Sequence, residues 1–102
     1  MNITFSQYQQ SLEELCNLWL ISEFSVFGSV LGDYFRPESD IDCLIEFSQE
    51  AQWDLFDIIE LKRQLSDLFN REVDLVEKNS ISNPFILKSI EENHQVLYSS
   101  HG

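Results

Sequence analysis

Tyr8, Leu12, Leu15, Cys16 and Trp19 recur at three- and four-residue intervals, which puts them on one stripe of a helix over residues 5–20. Thr4-Phe5-Ser6-Gln7 at its start has the form of a capping box, in which hydroxyl and amide satisfy each other's free backbone donors. The period then changes. Glu23 to Phe27 is short, aromatic and β-branched, and predicts a strand that ends at Gly28. Ser29 to Phe35 predicts one or two helical turns, stopped by the approach to Pro37. From Asp40 to Phe47 the alternation is that of a strand: Ile41, Cys43, Ile45 and Phe47 share one face, while Asp40, Asp42, Leu44 and Glu46 share the other.

Helical spacing returns from Trp53 to Phe69 through Leu55, Ile58, Ile59, Lys62, Leu65, Leu68 and Phe69, and Asn70-Arg71 closes it. Glu72 to Glu77 (EVDLVE) predicts another short strand, followed by a loop over residues 79–84. Pro84 suits the first turn of a last helix running to about Asn93, and Gln95 to Tyr98 predicts an edge strand. The order αβαβαβα(β), without repeats or linkers, predicts an α/β (α+β) fold: a single domain over residues 1–102, with one mixed sheet packed with helices.

Composition supports an ordered core. A chain of 102 residues buries roughly two thirds of its unfolded surface. The 43% hydrophobic content, with eight Phe and two Trp, is far from that of a disordered tail. No apolar run approaches the roughly 20 residues of a membrane span. The N-terminus also lacks the charged start and apolar stretch of a secretory signal. A cytoplasmic protein without membrane contact is therefore expected, with Cys16 and Cys43 as reduced core thiols. Charge narrows the partners further. Eighteen acidic residues against six basic give a net charge of −12, which repels a nucleic-acid backbone and favours cations or a basic protein.

The candidate chemistry lies between residues 26 and 47. Alternation puts Asp40 and Asp42 on the same side of a strand, about 7 Å apart. Asp74 sits between Val73 and Leu75, so it points away from the face those two bury. If the two strands are neighbours, three carboxylates converge. An all-oxygen donor set without His or Cys suits a hard cation such as magnesium or manganese and is poor for zinc. Gly28-Ser29 adds a glycine that lets the backbone approach a ligand closely, a following helix start that favours phosphate oxygens, and a hydroxyl donor. Metal and nucleotide together would offset the cost of the carboxylates.

GSVLGDYFRPESDIDCLIEF resembles the Gly-Ser-(ten residues)-Asp-x-Asp signature of the minimal nucleotidyltransferases, in the DNA polymerase β-like superfamily with its palm-like domain. The likeness extends over nearly the whole chain, through LCNLWLISEFSVFGSV, WDLFDIIELKRQLSDLFNREVDLVEK and NPFILKSIEENHQVLY. The run from Arg36 to Asp42 (RPESDID) is similar to that of MntA-type antitoxins. The resemblance implies that Gly28 and Ser29 hold the triphosphate of ATP, that Asp40 and Asp42 bind the metals, and that Asp74 assists the attacking hydroxyl. It further implies a HEPN-domain ribonuclease toxin as partner, neutralised when AMP is transferred to one of its tyrosines. Two positions depart from the pattern. Gly32 stands where an arginine is frequent, leaving Arg36 as the nearest arginine, and the closing helix offers only Lys88 before its acidic end.

Two functions are compatible with these residues. The first is a protein adenylyltransferase antitoxin; the second is a binding-only antitoxin that covers a basic toxin surface with its acidic one. Arg36 is a candidate phosphate contact or a surface residue. His94 and His101 have no sequence spacing to the carboxylates and are expected in solvent. Trp53 and Phe56 are expected to pack along the second long helix or at its rim.

Overall fold

The computed structural model describes residues 5–28 and 40–100. Residues Phe5–Tyr8 form a tight helical turn that leads into α1 (Gln9–Leu18). Strands β1 (Ile21–Phe27) and β2 (Ile41–Phe47) precede α2 (Leu55–Phe69). Then come β3 (Val73–Glu77), a turn over Lys78–Ser80, α3 (Pro84–Glu92) and β4 (His94–Ser99). The strand order is β3-β2-β1-β4. Strand β1 runs antiparallel to both β2 and β4, whereas β2 and β3 are parallel, so the sheet is mixed as expected. A parallel pair cannot be joined by a hairpin, and α2 is the crossover that joins this one.

Element boundaries follow local chemistry. The α-helix starts at Gln9, later than its apolar stripe suggests, and its N-cap, Tyr8, makes no side-chain cap. Leu20, with φ of 55°, reverses the chain at its end, and β1 starts two residues earlier than predicted. Asp54 caps α2 with Asp57 in a reciprocal capping box, so the helix opens at Leu55 and Trp53 lies outside it. Asn70, with φ of 56°, ends α2 in the left-handed conformation that asparagine tolerates. Asn83 accepts from the Phe85 amide, and Pro84 occupies the first turn of α3.

One face of the sheet is packed by α1 and α2. Phe24, Val26, Ile41, Cys43, Ile45 and Val73 meet Leu12, Cys16, Leu61, Leu65 and Phe69 there, all of them buried. Leu61 is a core residue that the apolar spacing missed, while Leu55 and Ile59, expected on the packed stripe, are exposed. A helix face wide enough for both sets exists, but only the Leu61–Leu65–Phe69 side meets the sheet. The Phe69 ring lies edge-on to Phe5 and Tyr8 at 5.7 and 5.3 Å and 6.4 Å from Phe24. Trp19 and Trp53 lie 4.9 Å apart. The Trp53 indole donates to the Trp19 carbonyl and the Trp19 indole to Gln64, which ties the start of β1 to α2. Both cysteines are buried and unpaired, and burial pushes the Cys16 thiol up to about 12, so it is not a nucleophile.

The opposite face carries Asp42, Leu44 and Glu46 of β2. Leu44 is buried but does not join the helix-side core. Lys78 lies 4.0 Å from Glu46 and 3.6 Å from Glu91, which links this face to α3. Helix α3 buries no residue, so it is not part of the central core. Phe69→Ala should destabilise the protein by about 3–5 kcal/mol in urea unfolding, the usual cost of removing a packed aromatic.

Candidate active site

The site is built by strand register. Antiparallel pairing sets Phe27 opposite Asp42, and parallel pairing sets Asp74 beside Asp42. On the other side of β1, His94 lies opposite Phe27. His94, Phe27, Asp42 and Asp74 therefore form one row across all four strands. The side chains of Phe27, Asp42 and Asp74 lie on the face away from α1 and α2, because each is flanked along its strand by a residue turned to the core, and His94 shares that face as the cross-strand partner of Phe27. Neighbouring strands are about 4.8 Å apart, so Asp42 and Asp74 are adjacent.

Asp40 immediately precedes β2 and is exposed, as is Asp74, whereas Asp42 is half-buried. Burial is the main cause that raises the Asp42 carboxyl above its ordinary value, followed by the charges of Asp74 and then Asp40. The same two carboxylates, Asp42 and Asp74, reinforce the burial that pushes the Cys43 thiol up. Asp42 is thus a carboxylate held where negative charge is already in excess, an environment that a cation would relieve.

Gly28 completes the row's end. It has φ of +77°, a conformation that side chains rarely adopt. A Cβ at this position would lie 2.6 Å from Oδ2 of Asp42, which no real side chain could do without displacing the carboxylate. Residue 28 is glycine for both reasons, and the turn after β1 rests directly against the half-buried carboxylate. The sequence placed these two features fourteen positions apart along the chain; the fold puts them in contact.

Of the predicted site residues, Gly28, Asp40, Asp42 and Asp74 gather at this end of the sheet, while Ser29 and Arg36 lie outside the described residues, as do Thr4, Gly32 and His101. The three carboxylates suit a hard divalent cation in kind: oxygen donors only, two of them on neighbouring strands, and one acid whose charge is disfavoured. The carboxylates are not closed into a finished cage, since no group of three or more His, Cys, Asp or Glu side chains among the described residues is arranged to hold a metal ion. Two adjoining cavities, of about 460 and 260 Å³, sit at the opposite end of β2 against Phe47, Ser48 and Asn79. They take no part in the row. His94 corrects an expectation: it is half-buried and stands in the carboxylate row, a placement that only the pairing of β4 with β1 reveals.

Comparison with known proteins places this geometry. Residues 9–97 match the nucleotidyltransferase domain family. The chain is 41% identical over 81 residues to MJ0126 of Methanocaldococcus jannaschii, covering 79% of this chain and 81% of that protein, whose name provisionally assigns it to the protein adenylyltransferases. It is 35% identical over 69 residues to the protein adenylyltransferase MntA of Thermococcus cleftensis, covering 68% of each. Among solved structures, one provisionally assigned as a minimal nucleotidyltransferase superposes with a TM-score of 0.74 at 26% identity, over 92% of this chain and 94% of that one. A toxin–antitoxin structure with AMP-PNP gives 0.72 at 19%, over 90% and 73%. The MNT antitoxin complex with the tri-AMPylated Shewanella oneidensis HEPN toxin gives 0.69 at 17%, over 96% and 75%. The family match and these relatives define a nucleotidyl-transferring enzyme. The chain belongs to the nucleotidyltransferase domain family, among the relatives of MntA-type protein adenylyltransferases.

The raised Asp42 carboxyl makes a signed prediction. A carboxyl whose folded value lies above its unfolded one supports the fold when protonated and loses that support as pH rises through the folded value. Asp42→Asn should therefore raise Tm at pH 7 in metal-free buffer and leave it nearly unchanged below pH 3.8, where both states are protonated. Millimolar magnesium should raise the Tm of the wild type and not that of the variant, in a thermal-shift series over pH.

Proposed function

We propose that the protein transfers AMP from ATP to a tyrosine hydroxyl of a HEPN-domain ribonuclease toxin and so neutralises it. The observation that carries this reading is the register that sets Asp42 beside Asp74, with the Asp42 carboxylate resting on Gly28. Asp40, Asp42 and Asp74 would hold magnesium, or manganese, which when bound offsets the charge of the triphosphate and eases ionisation of the acceptor hydroxyl. Gly28 leaves room for phosphate at the end of β1, Ser29 adds a hydroxyl donor, and Arg36 adds a cation. Asp74, at the open side of the row, takes the proton from the tyrosine. The phenolic oxygen then bonds to the α-phosphorus as the bond to the bridging oxygen breaks, and pyrophosphate leaves with that electron pair.

Support for the acceptor and partner comes from two sources. The similar structures include an antitoxin bound to an AMP-modified HEPN toxin, and the related MntA is named as a protein adenylyltransferase. The chain also presents an apolar edge suited to a partner: Leu55, Phe56 and Ile59 fall within about 100° of the α2 surface and are 70%, 80% and 55% exposed. AMP on a toxin tyrosine adds bulk and negative charge, and both oppose RNA. This reading is of a cytoplasmic enzyme, over residues 1–102, that takes ATP and a protein as substrates and contacts neither nucleic acid nor membrane. Among the described residues no helix is long and apolar enough to cross a membrane.

The apolar edge and the net charge of −12 favour a second reading, in which binding alone masks a basic toxin. Intact mass spectrometry of the toxin co-expressed with wild type or Asp42→Asn separates the two. Adenylyl transfer predicts a gain of one or more AMP units with wild type only, and a variant that still binds the toxin but no longer protects cells. An unmodified toxin that both proteins silence equally would leave masking as the function.

A further inference from the structure

His94 opens β4, and Phe27 is its partner across the ladder. Phe27 in turn faces Asp42, so the imidazole stands two strand spacings from the carboxylate, about 10 Å between backbones. Gly28 leaves the sheet from between them. Anything held at the Gly28 turn has carboxylates on one side and His94 on the other.

The tautomer of His94 is set by its neighbour. Nδ1 lies 2.6 Å from the carbonyl oxygen of Glu91. A carbonyl only accepts, so Nδ1 carries the proton in this contact. The bond also caps one of the free carbonyls at the end of α3, where a histidine is favourable. Capping accounts for Nδ1 alone. Nε2 has no hydrogen-bond partner among the described residues, and when the ring is protonated it is a donor.

Charge indicates what Nε2 is for. The row's other members are two carboxylates and a phenyl ring, none of which donates to an anion. Elsewhere, Arg63 is paired with Glu60 and Asp67, and Lys78 lies between Glu46 and Glu91. We propose that His94 is a phosphate-binding residue of the ATP site: as the imidazolium, it donates Nε2–H to a phosphate oxygen on the side of the row away from Asp74, where the pyrophosphate would depart. The inference rests on the nucleotidyltransferase reading of the row. It gives the two ends of the row separate tasks, the acceptor hydroxyl at Asp74 and the leaving group at His94.

The two ring nitrogens can be tested apart. In His94→Asn the amide nitrogen takes the place of Nδ1, keeping the Glu91 cap and removing the phosphate donor; in His94→Gln it takes the place of Nε2 and does the reverse. Binding of AMP-PNP with magnesium is measured by calorimetry on the full chain, with Tm recorded for each protein. His94→Asn should keep the wild-type Tm and bind about tenfold more weakly, as loss of one charge-assisted hydrogen bond requires. His94→Gln should bind within about threefold of wild type and melt lower. Wild-type affinity in a folded His94→Asn protein overturns the inference while leaving the nucleotidyltransferase reading intact. If His94→Asn does not fold, His94→Gln decides: retained affinity supports the contact, and lost affinity in a folded protein overturns it. A wild type that binds no AMP-PNP removes both readings.

Discussion

The Asp42 carboxylate is pressed between a glycine backbone and a second carboxylate. Gly28 approaches it so closely that no side chain fits, and parallel pairing with β3 brings Asp74 to its other side. Two charges about 5 Å apart repel by roughly 1 kcal/mol in water and about 3 kcal/mol at the effective dielectric near a protein surface. That is a sizeable fraction of the roughly 5–15 kcal/mol that stabilises a small domain. The rest of the fold must therefore hold β2 and β3 together against their own side chains. A hard cation, as proposed above, would relieve that acidity.

The holding force is on the opposite face. Val73 and Ile41, one residue before each repelling aspartate, are fully buried against α1 and α2. The alternation of a strand thus anchors each carboxylate through its neighbour: core on one side, chemistry on the other. Helix α2 serves twice, since it supplies Leu61, Leu65 and Phe69 to that core and, as the crossover, makes the parallel register possible. Phe69 joins its end to Phe5, Tyr8 and Phe24, so the helix cannot shift without disturbing the sheet that positions Asp74. The Trp19–Trp53 pair secures its other end.

The outer surfaces differ in kind. The edge of α2 leaves Leu55, Phe56 and Ile59 in solvent, and α3 leaves Phe85 81% exposed, although the chain carries a net charge of −12. The net charge favours a basic partner, and exposed apolar residues of this size mark a surface suited to contact with another protein. An enzyme whose substrate is a protein needs both a site at the sheet end and a surface that retains the substrate there. Helix α3 contributes no buried residue, so the core lies between the sheet and the other two helices.

Much of this was legible from residue order alone. The helix stripes, the alternating strand around Asp42, the closing asparagine of α2 and the proline that opens α3 are local features, governed by backbone conformations and side-chain periods that act within a few residues. The resemblance of the Gly-Ser and Asp-x-Asp segments to nucleotidyltransferases was local too. Tertiary structure decided what no local period encodes. Leu61 was buried and Leu55 exposed because the sheet meets only one side of α2. Gly28 met Asp42, and Asp74 drew level with it, because strand registers are set by packing between distant segments. His94 reached the row for the same reason: it lies 52 residues from Asp42 in sequence, and β4 must pair with β1 before the two share a face.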